Sequence, residues 1–210
     1  MTTSEKIRVM VVDDHPLMRI GIAAIINGRR DMMIVAQAGS AEEAINLFRR
    51  HKPDITLMDL RLPGDMGGVE AIATIRSEFR NARFIVVTTY DGDEDIHRAL
   101  EAGAQGYIIK GMPYQTLVDA VQRVHAGNRF LPPPVVDALA ARVPDSDLSS
   151  RELEVLHLLV GGKSNKDIAQ ALGITEATVK SHVSTILERL QVSDRTQAVV
   201  TAIQRGLVHL

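Results

Sequence analysis

Three carboxylates in the N-terminal half of the chain follow short apolar runs. Asp59 follows the run 55–58, and Asp13 and Asp14 follow the run 7–12. Prolines flank the first run, and because proline cannot donate to a β-ladder, they mark that run as a short buried strand. In an open α/β sheet, ligands bind just outside the carboxyl ends of the strands, where these acids fall. Taken alone, Asp59 is equally well explained as a turn or helix-capping residue.

Two further apolar runs end in groups that suit the same chemistry. The run 84–89 ends in threonines, including Thr88, and the run 106–110 ends in Lys110. Clustered carboxylates need a compensating cation, and an all-oxygen site with room for water suits Mg²⁺ better than Zn²⁺. A lysine can pair with a phosphoryl oxygen, and a threonine hydroxyl can donate to another. These strand ends therefore favour a site for Mg²⁺ and a phosphoryl group.

The elements that must position these residues follow from the spacing of apolar side chains. The first 130 residues alternate strand-like runs with amphipathic stretches, which is typical of a parallel sheet with helices on both faces. A first helix is predicted from near Pro16 to near Asn27, and Ser40 with Glu43 predicts the capping box of a second helix. The residues predicted to face inward from the first helix are Leu17, Ile20, Ile22, Ala24 and Ile25.

Together, the strand-end residues resemble the receiver domain of two-component response regulators, over roughly the first 130 positions. The residues that carry the resemblance are Asp13, Asp14, Asp59, Thr88, Tyr107 and Lys110. The resemblance implies a flavodoxin-like α/β fold, doubly wound around a five-stranded parallel sheet. It also implies that Asp59 accepts a phosphoryl group from the histidine of a sensor kinase.

The same resemblance implies roles for the neighbouring residues. Asp14 and Asp59, with the backbone carbonyl of Arg61, are expected to ligate Mg²⁺, while Asp13 acts through water. Thr88, Tyr107 and Lys110 are expected to form the switch, in which the tyrosine ring turns inward when the threonine moves toward the phosphoryl group. His15, beside the acid pair, is interpreted as a loop residue.

This region differs from the receiver pattern in one loop, and two alternative functions remain to be weighed. The loop after Pro63 is one residue longer than the receiver pattern, counted to Gly68. An aspartyl-phosphate hydrolase also uses a strand-end aspartate as nucleophile, but it would place an acid two residues on, where this chain has Arg61. A DNA-binding regulator whose receiver is not phosphorylated is the other alternative. We therefore expect a protein that is not an enzyme.

A glycine and three consecutive prolines in the segment 127–134 mark the boundary between two domains. We expect a receiver domain over 1–127, a linker over 128–147 and a second domain over 148–210. Within the linker, residues 135–142 predict a helix and residues 143–147 predict a polar tether.

The second domain is predicted to contain four helices. Ser149, Ser164 and Thr175 are expected to cap the first three helices. Gly173 separates a short helix from a longer one over 176–190. A short helix, a turn and a longer helix make a helix-turn-helix, in which the second helix enters the major groove of DNA. The spacing of residues 148–207 resembles the LuxR-type (NarL/FixJ) DNA-binding domain.

This second resemblance implies double-stranded DNA as a partner and a homodimer as the active form. The predicted DNA-binding residues are Lys166, Thr178, Lys180, Ser181, His182 and Ser184. Many relatives carry lysine where this chain has Ser184, so the operator preference cannot be copied from them. The predicted dimer contacts of the last helix are Val199, Ala202 and Ile203.

Composition adds few constraints. The 210 residues include no cysteine, which excludes disulfides and thiolate metal sites, and the net charge is −2. Residues 148–210 hold seven Lys and Arg against six Asp and Glu, so bulk charge does not indicate nucleic-acid binding. No apolar stretch is long enough to span a membrane, and a cytoplasmic protein is expected.

Overall fold

The computed structural model describes residues 6–89, 92–141 and 148–208. The chain divides into two compact units, residues 1–90 with 97–136 and residues 91–96 with 137–210. Each unit has its own hydrophobic core. The predicted polar tether over 143–147 lies outside the described residues. No helix in the described part of the chain is both long and apolar enough to cross a membrane.

The first unit is built on a parallel sheet of five strands, in the order β2-β1-β3-β4-β5. This order is that of the flavodoxin-like sheets, so the predicted fold class is confirmed. The chain passes from β1 to β2 on one side and later crosses to β3 on the other side of β1. This change of direction opens a crevice at the carboxyl ends of β1 and β3. The strands are β1 Ile7–Val12, β2 Met32–Ala38, β3 Ile55–Met58, β4 Phe84–Thr88 and β5 Gly106–Ile109.

Helices cover both faces of this sheet. On one face, the buried side chains of α1 and α5 pack with those of the strands in a single core cluster. On the other face, Phe48 of α2 stacks on Phe84 of β4, with 6.1 Å between the ring centroids. The helices are α1 Pro16–Asn27, α2 Ala41–His51, α3 Gly68–Glu78, α4 Asp93–Glu101 and α5 Tyr114–His125.

Helix α1 has the predicted bounds, but its predicted inward face is wrong in part. Leu17 is 83% exposed and Ile20 is 63% exposed, whereas Ile22 and Ile26 are buried. Apolar residues occur all around this helix, so their spacing does not define one face. Ala24 is also exposed, while Ile25 packs against the core.

The predicted capping box of α2 differs from the observed cap in one hydrogen bond. The hydroxyl of Ser40 accepts from the backbone N of Glu43 at 3.2 Å, as predicted. The carboxylate of Glu43 accepts from the backbone N of Gly39 at 2.7 Å rather than from that of Ser40. Both side chains still satisfy backbone donors at the helix start, which fixes the end of β2 relative to α2.

The second unit is helical and its caps follow the prediction. Ser149, Ser164 and Thr175 each accept a hydrogen bond from the backbone N three residues on. Gly173, between the short helix and the longer one, has φ +65°, a left-handed conformation that glycine adopts without strain. The helices after the receiver-like sheet are α6 Pro133–Ala141, α7 Ser150–Val160, α8 Asn165–Leu172, α9 Glu176–Leu190 and α10 Arg195–Gln204.

Candidate functional site

The carboxyl ends of the strands bring two buried carboxylates and one ammonium together. Lys110 Nζ lies 2.5 Å from Asp59 Oδ2 and 2.8 Å from Asp13 Oδ2. Asp13 and Asp59 are only 1% and 2% exposed. A lysine that bridges two buried acids compensates charge that the protein interior would otherwise exclude.

The backbone holds each of these residues against a neighbouring strand. The N–H of Asp59 donates to the carbonyl of Val12 at 2.9 Å, and that of Lys110 donates to the carbonyl of Thr88 at 2.7 Å. Because both groups extend the parallel ladder by one step, their side chains emerge at one edge of the sheet. The site is therefore fixed by strand register rather than by a loop.

Burial and charge shift the ionisation of this cluster. Burial raises the pKa of Asp59, with a further contribution from the nearby charge of Asp13, and Lys110 offsets only part of this rise. Burial alone would lower the pKa of Lys110, but its hydrogen bonds to Asp13 and Asp59 outweigh burial and raise it. One ammonium thus serves two acids, and negative charge remains in the site.

Asp14 and His15 complete the cluster on its exposed side. The side chain of Asp14 is 36% exposed, and its Oδ1 lies 2.6 Å from His15 Nδ1. The backbone N of His15 donates to Asp13 Oδ1 at 2.8 Å. Donor atoms of Asp13, Asp14, His15 and Asp59 all lie within 4.8 Å of one another, so these residues can hold a metal ion. His15 lies between β1 and α1, in the loop position that the sequence predicted.

The donor set suits a hard divalent cation. Its three carboxylates and one lysine ammonium leave two negative charges uncompensated, and the carboxylates offer oxygen ligands. The imidazole nitrogen of His15 is the one donor that magnesium does not prefer. The residues therefore fit Mg²⁺ through the three acids.

The remaining predicted residues of this region lie around the acids. The backbone N of Arg61 donates to Asp59 Oδ1 at 3.2 Å, which places the Arg61 peptide beside the carboxylate. Thr88 and Tyr107 are fully buried. The tyrosine ring thus already occupies an inward position in this structure.

The loop after Pro63 ends in a close contact with the site. A Cβ at Gly68, the first residue of α3, would lie 2.0 Å from the carbonyl oxygen of Asp59. The N–H of Gly68 donates to the carbonyl of Leu60 at 2.9 Å. Glycine is therefore required where α3 meets the backbone of Asp59, and α3 begins at Gly68.

In the second unit, the predicted DNA-binding residues lie mostly on the surface. Thr178, Lys180, Ser181 and Ser184 of α9 are exposed, and so is Lys166 near the start of α8. His182 is half-buried. Burial would raise the pKa of Glu152 on α7, but hydrogen bonds from Ser149 and the nearby charges of Arg189 and His182 lower it.

Helix α9 is held in place by a buried carboxylate that sequence reasoning treated only as a cap. Oε2 of Glu152 accepts from the N and Oγ of Ser149 at 2.7 and 2.8 Å, and from Nη1 of Arg189 at 3.0 Å. Glu152 is 5% exposed. Burial opposes its ionisation, but these hydrogen bonds and nearby cations prevail and lower its pKa.

A second arginine ties α10 to the start of α8. Nη1 of Arg195 donates to Oδ1 of Asn165 at 3.2 Å, and its Nη2 donates to the carbonyl of Lys163. Together with the Glu152–Arg189 pair, this contact fixes the two helices of the helix-turn-helix relative to the helices on either side.

Comparison with known families agrees with this geometry. Residues 9–122 match the response regulator receiver domain, and residues 146–202 match the bacterial regulatory proteins of the luxR family. The chain belongs to the LuxR-family response regulators. It is accordingly a DNA-binding transcription regulator built from a receiver and a helix-turn-helix domain.

Named relatives extend over nearly the whole chain. The response regulator protein VraR of Staphylococcus aureus (strain NCTC 8325 / PS 47) is 39% identical over 207 residues, which cover 96% of this chain and 99% of VraR. The crystal structure of ChrA, a response regulator of a heme-sensing two-component system, is 37% identical with a TM-score of 0.58 and covers 96% of this chain and 98% of that one.

A third relative shares the fold at lower sequence identity. The structure of RcsB from Salmonella enterica serovar Typhimurium, bound to promoter DNA in the presence of phosphomimetic BeF3⁻, is 24% identical with a TM-score of 0.72. The alignment covers 95% of this chain and 99% of that one. Its identity is low enough that the similarity supports the architecture alone.

Within this response regulator, the predicted dimer contacts of α10 differ in accessibility. Ala202 is fully buried in the core of its own unit, and Val199 packs against the same core. Ile203 is 38% exposed, and Val200, which sequence reasoning did not select, is 48% exposed. The apolar surface that α10 offers is therefore formed by Val200 and Ile203, with Val199 partly buried beside them.

Proposed function

We propose that phosphorylation of Asp59 by a sensor histidine kinase controls DNA binding by this response regulator. One observation carries the proposal: the buried carboxylate of Asp59 lies at a strand end, where its Oδ2 is 2.5 Å from Lys110 Nζ. The same ammonium also contacts the carboxylate of Asp13. A carboxylate whose pKa is raised by burial holds its negative charge at a cost, which favours its reaction as a nucleophile.

In the proposed reaction, an oxygen of Asp59 attacks the phosphorus of a phosphohistidine. The new P–O bond forms as the P–N bond breaks, and the kinase histidine leaves with the electron pair. Lys110 is positioned to pair with a phosphoryl oxygen, because its ammonium already contacts Asp59. Mg²⁺, held by Asp14, Asp59 and the Arg61 carbonyl with Asp13 acting through water, would offset the accumulated negative charge.

The proposed switch couples this site to the rest of the receiver. The backbone N–H of Lys110 donates a hydrogen bond to the carbonyl of Thr88, so a movement of either residue is passed to the other strand. A phosphoryl group can shift the equilibrium between two states only by interacting differently with them. We assign that difference to contacts with Thr88 and Lys110, and to the accompanying position of the Tyr107 ring.

At the other end of the chain, we propose that α9 enters the major groove of double-stranded DNA. The exposed hydroxyls and the ammonium of Lys180 provide donors that can reach base edges. Lys166, at the start of α8, is assigned to the phosphate backbone, which also interacts favourably with a helix N-terminus. The residues proposed to contact DNA are Lys166, Thr178, Lys180, Ser181, His182 and Ser184.

We also propose that the active form is a homodimer that binds two half-sites. The exposed side chains of Val200 and Ile203 on α10, flanked by Val199, are the contact surface that we assign to a second copy. We place the receiver at residues 1–127, the linker at 128–147 and the DNA-binding domain at 148–210. We also propose a cytoplasmic location, because the proposed target is DNA.

Genome-wide recovery of bound DNA tests this function in its natural setting. The parent protein, Asp59→Asn and the control Asp65→Asn are compared with and without stimulation of the kinases. Asp65 is an exposed aspartate in the loop before α3, so it controls for the loss of one carboxylate. We expect a defined set of sites for the parent and the control, and loss of stimulated occupancy for Asp59→Asn. Equal stimulated occupancy in all three proteins would contradict the proposal.

A further inference from the structure

A polar cavity lies at the edge of the receiver sheet opposite the acids. Its volume is about 320 Å³, and its walls include Arg76, Arg80 and Arg83 together with Asn81 and Gln105. Arg83 directly precedes β4 and Gln105 directly precedes β5, so the cavity adjoins the amino ends of these strands. Asp59 follows the carboxyl end of β3, so the cavity and the acids are at opposite edges of the sheet.

The charged side chains that line this cavity are all cationic. Its walls contain three guanidinium groups and no carboxylate. In the described parts of the chain, no acid forms an ion pair with Arg76, Arg80 or Arg83. Other arginines of the receiver do have such partners: Arg49 pairs with Glu78 at 2.5 Å and Arg98 pairs with Glu70 at 2.8 Å.

Two of the polar side chains are held in fixed positions. Nη1 of Arg76 donates to the carbonyl of Ala82 at 2.9 Å, and its guanidinium packs against Gly103, where a Cβ would lie 2.3 Å from Nε. Oε1 of Gln105 accepts from the backbone N of Phe84 at 2.8 Å. The amide NH₂ of Gln105 is therefore left to donate elsewhere. Such fixed donors reduce the entropy that a ligand loses on binding.

We propose that this cavity binds a small anion with two linked phosphate groups, such as pyrophosphate or the diphosphate of a nucleotide. Guanidinium groups bind phosphate oxygens through paired hydrogen bonds, and several of them around one cavity select for more than one phosphate. The volume is at the lower end of the range for small-molecule sites, which suits a diphosphate group rather than a larger ligand. The receiver thus has a second ligand site, independent of Asp59.

Isothermal titration of the full-length protein tests this site, in EDTA so that the acids bind no metal. Pyrophosphate, ADP and orthophosphate are titrated in turn into the parent protein, Arg83→Gln, Arg80→Gln and the control Arg50→Gln. Arg50 is an exposed arginine of α2 outside the cavity, so its variant removes the same charge. We expect pyrophosphate to bind more tightly than orthophosphate, and each cavity variant to weaken it about tenfold or more.

A second measurement locates the bound ligand independently of these variants. Amide spectra of ¹⁵N-labelled protein should shift at the side chain of Gln105 and the backbone of Gly127 when pyrophosphate is added, with no matching shift around Asp59. Tighter binding of ADP than of pyrophosphate would identify a nucleotide as the natural ligand class. The proposal is overturned if no probe binds at millimolar concentration, or if Arg50→Gln weakens binding as much as Arg83→Gln.

Discussion

The proposed phosphoryl site (Asp13, Asp14, Asp59 and Lys110) and the proposed DNA face (Lys166, Thr178, Lys180, Ser181 and Ser184) use charge in opposite ways. In the phosphoryl site the central acids are buried and share one ammonium. On the DNA face the cations and hydroxyls are exposed to solvent. A substitution in the first leaves a buried charge without its partner, whereas one in the second removes a single contact. Effects should therefore be large in the phosphoryl site and graded on the DNA face.

The largest stability effect is expected for Lys110→Ala. This change leaves Asp13 and Asp59 buried together without a cation, and loss of one partner of a buried pair costs about 3–5 kcal/mol. Urea unfolding at pH 7 measures the loss, with Lys6→Ala as a control for an exposed lysine. Added Mg²⁺ should stabilise Lys110→Ala more than the parent protein. Equal unfolding free energies for the two variants would show that the site is not charge-coupled.

Thr88→Ala tests whether the phosphoryl site communicates with the DNA face. The variant should still accept phosphate, because the nucleophile and Lys110 are intact. It should lose most of the phosphorylation-dependent gain in DNA affinity, a coupling of typically about 1–3 kcal/mol. Sedimentation and DNA titration with and without phosphodonor measure this gain. A response equal to that of the parent would place the coupling in other residues.

On the DNA face, Lys180→Ala should lower affinity and relax base preference. A side chain that reads base edges contributes about 1–3 kcal/mol of discrimination for each good contact. The matched variant is Lys166→Ala, which should weaken all sequences alike and reduce the slope of log affinity against log salt by about 1.

Titrations of specific and scrambled DNA at several salt concentrations separate the two lysines. The full chain and the fragment from Leu148 to Leu210 should give the same ranking, because the helix-turn-helix has its own core. Affinity that is unchanged by Lys180→Ala at every salt concentration would mean that another face of α9 meets the DNA.

The smallest expected effect is a change in the pH dependence of stability, caused by the buried carboxylate of Glu152. The pKa of Glu152 is lower in the folded protein than in the unfolded chain, so its stabilisation is present at neutral pH. It is lost as the pH falls below the ordinary glutamate value of about 4.3 and through the lowered folded value. Urea unfolding of the fragment between pH 7 and pH 3 should therefore show a smaller pH dependence for Glu152→Gln. The control Glu154→Gln should follow the parent.

Much of this architecture was predictable because it depends on local rules. Ser149, Ser164 and Thr175 begin their helices as predicted, since a cap needs only a hydroxyl and the next three residues. Asp59 and Lys110 meet because parallel strands end at one edge, and strand ends can be read from apolar runs. The order of elements in both units followed from the same patterns.

The features that sequence reasoning missed depend on contacts between distant residues. The exposure of Leu17 depends on which side of an all-apolar helix meets the sheet. Ala202 is buried because α10 packs on its own unit, and spacing within α10 does not show this. The Glu152–Arg189 pair joins residues 37 positions apart, so the sequence suggested only the cap. The cavity joins the end of α3 and the loop before β4, which carry its three arginines, to Gln105 before β5.

Phosphotransfer to Asp59 is tested most directly by chemical labelling and peptide mapping. The protein is incubated with a small phosphodonor and Mg²⁺, and the modified peptide is identified by mass spectrometry for the parent and Asp59→Asn. We predict one phosphoryl group on the peptide that contains Asp59, no label on the variant, and little label on the parent when EDTA removes the metal. A phosphoryl group mapped to another residue, or equal labelling of Asp59→Asn, would contradict the assignment of Asp59 as the acceptor.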